Sequence, residues 1–179
     1  KPTSRVIVIS SSDPWNKWSA PVEVASASTY ANIYPVCMTT TGDGTLWMVC
    51  TEADDPLDEP EIFPLGKDQR GTPTVIRTLV SRDSGQSWKQ VAAMDSCEGL
   101  RGLRPGSRMV LDGDGQLVLP VSALDNNGRS VCGTLRWRGT QNEWSCYQEM
   151  ACSIDKEAVF DHPAVALLGN GRWLGVFRA

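Results

Sequence analysis

The sequence predicts an all-β fold built from repeated antiparallel sheets. Three segments share one order of features: a Trp that ends a polar turn, a later Gly-containing turn, and an apolar strand that follows it. The spacing from the Trp to the last Gly of the turn is 26, 27 and 27 residues in the three pairs Trp18 to Gly44, Trp88 to Gly115 and Trp144 to Gly171. Unequal insertions separate the segments while this internal spacing holds, which indicates a repeat architecture.

Six short segments have the composition of β-strands. They are rich in Val, Ile, Leu and aromatic residues, and Gly, Asp, Asn or Pro bounds each of them. The segments are 5–10, 46–49, 75–80, 117–121, 131–137 and 173–177. No stretch of a dozen residues has a helical apolar stripe, so little helix is expected. The Trp residues recur after 70 and then 56 residues, and meandering sheets at this period fit the blades of a propeller better than a sandwich.

Composition and charge argue against several kinds of partner. The net charge of −4 gives no electrostatic reason to expect a nucleic acid or an anionic membrane. No apolar run approaches the roughly 18 residues that a membrane-spanning helix needs. The six cysteines show no C-x-x-C spacing, so no metal site is expected, and no cofactor is predicted.

Residues 81–88, Ser-Arg-Asp-Ser-Gly-Gln-Ser-Trp, resemble the Asp box of the sialidase superfamily, S-x-D-x-G-x-T-W. A weaker copy at 11–18 keeps the Asp-to-Trp distance of five residues. The motif has a local physical logic, because the Asp83 carboxylate accepts turn amide protons, Gly85 supplies an unusual backbone angle, and Trp88 packs between strands. In the family these boxes lie on the blade periphery, so the resemblance implies a structural role for Asp83.

The resemblance implies a sialidase-like β-propeller with about three blades in this chain. Its repeats fall at approximately 5–52, 75–123 and 130–179. It covers essentially the whole chain but matches only about half of a six-bladed propeller, and the family's Tyr nucleophile would lie beyond Ala179. The second half of the propeller is therefore expected from missing sequence or from another chain.

Residues 161–178 resemble the sialidase stretch E-P-x-V-x-x-L-x-x-G-x-L-x-x-x-x-R, in which the Glu polarises the catalytic Tyr and the Arg clamps the substrate carboxylate. Arg178 falls at that Arg, and His162 occupies the Glu position with Asp161 beside it. The turn around Asn170 makes His162 and Arg178 predicted cross-strand neighbours. In the first repeat, Ile33 stands where the family has another clamp Arg.

The remaining candidates come from two loops. The family's acid/base Asp lies on a loop before the first full Asp box, which corresponds here to the acid-rich segment 52–74. Counting back from Ser81 favours Asp68, and counting forward from Ile33 favours Asp58. Arg101 and Arg104, in the segment before the inner strand of the second repeat, are candidates to replace the missing clamp Arg.

These residues favour an exo-acting glycoside hydrolase of the sialidase-like superfamily that cleaves a terminal acidic sugar, with a carbohydrate or glycoconjugate as partner. The alternative is a non-catalytic propeller that binds carbohydrate or protein. Structural roles stay open for each residue: an ion pair for Arg178, a hydrogen-bonded structural His162, and a solvated loop for the acids.

Two cysteine pairs are placed symmetrically about predicted hairpin turns. Cys37 and Cys50 flank the turn near Asp43, and Cys132 and Cys146 flank the turn near 139. Each pair is predicted to lie nearly opposite, within reach of bonding or packing. Disulfides would suit a secreted or periplasmic protein, and buried free thiols are the alternative.

Overall fold

In the computed structural model, residues 4–13, 17–28, 32–53, 74–154 and 158–178 are described, and they form fourteen β-strands and no helix. The strands are β1 (Arg5–Val8), β2 (Val22–Ser26), β3 (Asn32–Thr40), β4 (Leu46–Ala53), β5 (Thr74–Ser81), β6 (Lys89–Met94), β7 (Ser96–Cys97), β8 (Leu100–Pro105), β9 (Val110–Leu111), β10 (Leu117–Leu124), β11 (Ser130–Arg138), β12 (Glu143–Cys152), β13 (Asp161–Leu167) and β14 (Trp173–Arg178). The all-β prediction is confirmed, and each predicted strand segment overlaps an observed strand.

The strands pair as antiparallel meanders, which is consistent with a propeller-like fold. One sheet has the order β3-β4-β5-β6, and a second has the order β12-β11-β10-β8-β7 with β9 also paired to β10. Two ribbons, β1-β2 and β13-β14, complete the described pairing. Each larger sheet combines strands from two neighbouring sequence repeats, so the boundaries of the repeats and of the sheets are offset along the chain.

Four hairpin turns share one hydrogen-bond pattern. In the first, the Gly44 N–H donates to the Thr41 carbonyl at 2.9 Å and the Thr41 N–H donates to the Thr45 carbonyl at 3.0 Å. The same pair of bonds surrounds three further glycines: Gly115, Gly128 and Gly171. All four glycines have φ between 75° and 82°, where a side chain would be strained. The turns predicted at Gly44, Gly115 and Gly171 are therefore confirmed.

An apolar cluster joins the two larger sheets. Its members include Val49 and Ile76 from the first sheet and Leu119 and Leu135 from the second, all of them fully buried. Trp137 packs edge-on against both Trp47 and Trp144, with ring centroids 5.3 Å apart in each pair. Burial of these large side chains is the main apolar contribution to holding the sheets together.

The three repeat tryptophans do not share one environment. Trp144 is the second residue of β12 and is buried, and Trp88 precedes β6 and packs against a smaller cluster around Leu79 and Met48. These two residues open the outer strands of their sheets. Trp18 precedes β2 but is 52% exposed, so the predicted equivalence of all three positions is wrong for the first repeat.

The hairpin registers differ from the prediction at both cysteine pairs, because each turn is centred at another residue than predicted and bulges shift the ladder further. Cys37 lies opposite Val49, in the register that the turn-end pair Thr40–Leu46 sets, and a bulge beyond Cys37 then places Cys50 opposite Pro35. The two thiols enter different apolar clusters. In the other hairpin Cys132 faces Ala151, whereas Cys146 lies about three residues farther along the ladder. The Cys132–Cys146 pairing is therefore wrong, and the Cys37–Cys50 register is wrong by one residue. All six thiols are free.

One edge of the fold, which we call the rim, collects the starts and ends of inner strands. Asn32 faces Ala53, Ala53 faces Thr74, and Asp161 faces Arg178 at this edge. The second sheet contributes the pairs of Leu124 with Arg101 and Ser130.

Hydrogen bonds join the sheets at the rim. Ser130 Oγ accepts the Phe160 N–H at 2.9 Å, and Thr74 Oγ1 donates to the Leu103 carbonyl at 2.9 Å. The glycine turns at 44, 115 and 171 and the turn at 81–88 lie at the opposite edge.

Candidate functional site

Asp161 is the centre of a polar cluster on the rim. Arg178 Nη2 donates to Asp161 Oδ2 at 3.0 Å, and His162 Nδ1 lies 3.1 Å from the same oxygen. The other oxygen, Oδ1, accepts the His162 N–H at 2.8 Å and the Ser122 hydroxyl at 3.3 Å. The Asp161 side chain is 15% exposed, whereas those of Arg178 and His162 are 50% and 69% exposed. The carboxylate is thus held in place while the cation and the imidazole face solvent.

A bulge in β13 produces this arrangement. The pairs from Leu167–Trp173 to Ala164–Val176 follow the predicted register, and the register then shifts before Asp161. His162 has φ 52°, a left-handed conformation that few residues other than glycine adopt. The extra residue makes Asp161 the cross-strand partner of Arg178. The predicted direct pairing of His162 with Arg178 is therefore wrong by one residue, although both side chains meet at Asp161.

The strands β8 and β10 bring one of the two candidate arginines toward this cluster. Arg104 is the cross-strand partner of Ser122, whose hydroxyl donates to Asp161. Cross-strand partners share one face of a sheet, so Arg104 belongs to the face of β8 and β10 that turns toward β13. Arg101 pairs with Leu124 at the strand end and is exposed. Of the two, Arg104 is placed next to the cluster.

The backbone of β13 packs directly on the second sheet. A Cβ atom added at Gly106 would lie 1.9 Å from the Pro163 carbonyl oxygen, so only glycine permits this approach. The Gly106 N–H donates to the Pro120 carbonyl at 2.8 Å. This contact fixes β13, and with it Asp161, against the strands that carry Ser122 and Arg104.

Ile33, at the position where the resemblance places a clamp Arg, is an apolar core residue. It is 3% exposed and packs in the cluster with Val6, Met48 and Leu79. Its backbone is tied to Ser4, because the Ile33 N–H donates to Ser4 Oγ at 2.7 Å and the Ser4 hydroxyl donates back to the Ile33 carbonyl at 3.1 Å. The first repeat thus presents no cation at this position of the rim.

A buried ion pair lies beside Ile33, and sequence reasoning missed it. Glu52 faces Ile33 across the ladder, and its side chain is 1% exposed. Its carboxylate pairs with Arg77 from β5 and accepts hydrogen bonds from the Ser28 N–H and hydroxyl. Arg77 also donates to the Ser26 carbonyl at 3.1 Å. The signal that could have found this pair was an Arg and a Glu, each inside an apolar strand, where a charge needs a partner.

The two candidate acids, Asp58 and Asp68, lie outside the described residues. The flanking residues Ala53 and Thr74 pair at the rim. Across the part of the chain that is described, no group of three or more His, Cys, Asp or Glu side chains is arranged to hold a metal ion. The same part contains no helix long and apolar enough to cross a membrane.

Comparison with solved structures shows a likeness of fold. A crystal structure of a protein of unknown function from Dyadobacter fermentans DSM 18053 covers 99% of this chain with a TM-score of 0.67 and 17% identity. The Hadza microbial sialidase Hz136 covers 90% of it with a TM-score of 0.56 and 15% identity. The chain spans 52% and 33% of the lengths of these two proteins. No family model and no curated protein matches. The all-β fold of this chain is therefore similar to that of a sialidase.

Proposed function

We propose that this chain is part of a sialidase-like β-propeller that binds the carboxylate of a terminal acidic sugar at the rim and acts as an exo-glycoside hydrolase. The observation that carries this proposal is the half-exposed Arg178, which Asp161 holds beside the exposed His162. The similarity of the fold to that of a sialidase supports it.

Arg178 has the chemistry that a sugar carboxylate requires. A guanidinium offers two parallel N–H donors that match a carboxylate, which a Lys cannot copy. The contact with Asp161 uses Nη2, and half of the side chain stays exposed. Because half of the Arg178 side chain is exposed while it keeps its contact with Asp161, a ligand carboxylate can approach the guanidinium from solvent. Arg104 is the second cation in the proposal.

Hydrolysis would require further groups. In the proposal Asp68, or else Asp58, supplies the acid/base, and His162, whose ring nitrogens can donate or accept a hydrogen bond, orients a sugar hydroxyl. The Tyr nucleophile is the one that the resemblance places beyond Ala179. These catalytic assignments follow from the resemblance alone, whereas the binding of a carboxylate at Arg178 also follows from the geometry of the rim.

A non-catalytic carbohydrate-binding or protein-binding propeller is the second candidate. The observation that favours it is the burial of Ile33 where the family has a clamp Arg, together with His162 at the Glu position. Both changes weaken the family's catalytic pattern while Arg178 is kept. Such a protein would bind the acidic sugar without cleaving it.

The test is a titration of the 179-residue chain with N-acetylneuraminic acid and galacturonic acid, in which calorimetry or NMR measures the binding affinity. The methyl esters of both sugars serve as uncharged controls. We expect the acids to bind at least about tenfold more tightly than the esters, since a charge-assisted hydrogen bond contributes about 1.5–3 kcal/mol. Equal affinity for acid and ester, or no binding, would contradict the proposal.

Two variants assign the effect to the site. Arg178→Gln should lose most of the preference for the acid. Arg172→Gln changes an exposed arginine in the turn at the other end of the same hairpin, and this variant should keep the preference for the acid over the ester. A fluorogenic glycoside of the preferred acid then separates the two candidates, because release of the fluorophore supports the hydrolase and binding without release supports the binding protein.

A further inference from the structure

Cys97 and Cys146 lie near each other where the second sheet curves round on itself. Cys97 lies in β7 and Cys146 in β12, the two ends of the strand order in that sheet. Cys97 Sγ nevertheless lies 3.6 Å from the Trp144 carbonyl oxygen, two residues before Cys146. The carboxylate of Glu98 accepts the N–H bonds of Cys146 at 2.7 Å and Tyr147 at 3.2 Å. These bonds hold the segment after Cys97 against the segment around Cys146.

The two thiols have different surroundings. Cys146 is exposed, and Arg138 Nη2 lies 2.6 Å from its Sγ. A guanidinium beside a sulfur complements the charge of a thiolate, which is the form of cysteine that attacks disulfides. Cys97 is half-buried, and burial, with smaller contributions from Glu98, Glu143 and Cys146, raises the pKa of its thiol to about 11. Cys97 is therefore protonated at neutral pH, and Cys146 is the accessible nucleophile.

A groove of about 560 Å³ gives small molecules access to Cys97, whereas Cys146 is exposed beside it. Cys97, Glu98, Arg138 and Ser145 are among its lining residues. Three of the other four cysteines differ, since Cys37, Cys50 and Cys132 are buried and burial raises the pKa of each thiol to about 12. Exposure, an arginine at the sulfur and a second thiol nearby occur together at Cys146.

We propose that Cys97 and Cys146 form a thiol pair that a low-molecular-weight disulfide oxidises to an intramolecular disulfide. The Cys146 thiolate attacks one sulfur of the external disulfide, the external S–S bond breaks, and the departing thiolate takes a proton from water. The Cys97 thiol then loses its proton and attacks the Cys146 sulfur of the mixed disulfide, which releases the second external thiol. The two cysteines lose two electrons in all, and the external disulfide gains them.

The consequence is a covalent link between the two edges of the second sheet. The link would close a loop of about fifty residues, and cross-links over long loops restrict the unfolded chain most strongly. Oxidation should therefore raise the melting temperature, and reduction should reverse the rise. Neither sequence-predicted pairing includes this combination, because Cys97 and Cys146 belong to different hairpins.

The test uses oxidised glutathione as the probe. The chain is incubated with it, free thiols are alkylated, and peptides are mapped by mass spectrometry. We expect two thiols to be lost, a peptide linked through Cys97 and Cys146, and a higher melting temperature that dithiothreitol reverses. A glutathione adduct that persists on Cys146 without the linked peptide would overturn the proposal, as would first modification at another cysteine.

Variants and pH separate the two steps. Cys97→Ser should stop at a single glutathione adduct on Cys146, and Cys152→Ser, which changes a half-buried cysteine later in β12, should leave the linkage intact. Closure of the mixed disulfide should accelerate as pH rises toward 11, because Cys97 must deprotonate among Glu98, Glu143, Arg138 and Cys146. A closure rate independent of pH would contradict the assignment of Cys97 as the second nucleophile.

Discussion

Two aspartates at opposite edges of the fold are held in opposite ways. Asp83, in the turn between β5 and β6, accepts the Ser87 N–H at 2.9 Å, the Ser81 hydroxyl at 2.8 Å and the Ser87 hydroxyl, all within seven residues of sequence. Asp161, on the rim, is shared by Ser122 from β10, Arg178 from β14 and the adjacent His162. One carboxylate closes a turn, and the other gathers side chains from separate strands.

The difference shows which edge is available to a ligand. The hydroxyl and amide donors of the Asp83 turn are consumed by the turn itself, and the Trp88 indole N–H also donates within it, to the Gly85 carbonyl at 3.1 Å. On the rim, Arg178 and His162 contact Asp161 while much of each side chain stays exposed. The turn edge is therefore expected to govern stability, and the rim cluster is expected to govern binding.

The largest expected effect comes from breaking the support of the rim. Gly106→Ala would place a Cβ atom against the backbone of Pro163, which has no flexible side chain to move aside. We expect a loss of about 3 kcal/mol or more in the free energy of unfolding, measured by urea denaturation. Gly113→Ala is the matched control, because its added Cβ meets nothing within 4 Å. Equal stability of the two variants would show that β13 does not pack on Gly106.

Loss of the buried ion pair should have an effect of similar size or somewhat smaller. Arg77→Met would leave the Glu52 carboxylate buried with an uncompensated charge, which costs about 3–5 kcal/mol. Adding Glu52→Gln removes that charge and should recover part of the stability, as a double-mutant cycle would show. If the single and double variants are equally unstable, charge is not the reason for the loss.

A smaller effect is expected at the turn edge, with a defined dependence on pH. Hydrogen bonds from Ser87 and Ser81 lower the pKa of Asp83 from 3.8 to about 2. A depressed pKa in the folded state stabilises the fold above about pH 4, and that contribution is lost as pH falls from 4 toward 2. Asp83→Asn should therefore lower the melting temperature by a few degrees at pH 7, with the difference shrinking toward pH 2. Asp114→Asn, in another exposed turn, is the control, and a difference that persists at pH 2 would argue against this carboxylate as the cause.

Glycine positions in the sequence predicted the turns, but the exact pairing of the strands in each hairpin could not be predicted from the sequence. The glycines at 44, 115 and 171 were readable because a tight turn needs a residue with positive φ. The hairpin between β13 and β14 followed the predicted register until the bulge at His162 made Asp161 the partner of Arg178. A bulge leaves little trace in composition. The cysteine pairs were displaced mainly because the hairpin turns are centred at other residues than predicted, as the turn-end pairs Thr40–Leu46 and Arg138–Glu143 show.

The other features that the sequence did not predict depend on contacts between strands that are distant in the chain. The approach of Gly106 to Pro163 and the pairing of Glu52 with Arg77 depend on how one strand packs on another. Ile33 was predicted as a departure from the family pattern, but its place in an apolar cluster required the packed structure. Asp161 was visible only as the neighbour of His162, because its role as the shared partner depends on three strands meeting.

The most direct test of the account measures ligand affinity and melting temperature together for Arg178→Gln and Asp83→Asn, with the acidic sugar that wild type binds best. We expect Arg178→Gln to lose affinity at least about tenfold, equivalent to about 1.4 kcal/mol, with nearly unchanged melting temperature. Asp83→Asn should show the reverse. If Arg178→Gln instead lowers the melting temperature and keeps the affinity, Arg178 is a structural partner of Asp161, and the rim is not the binding site.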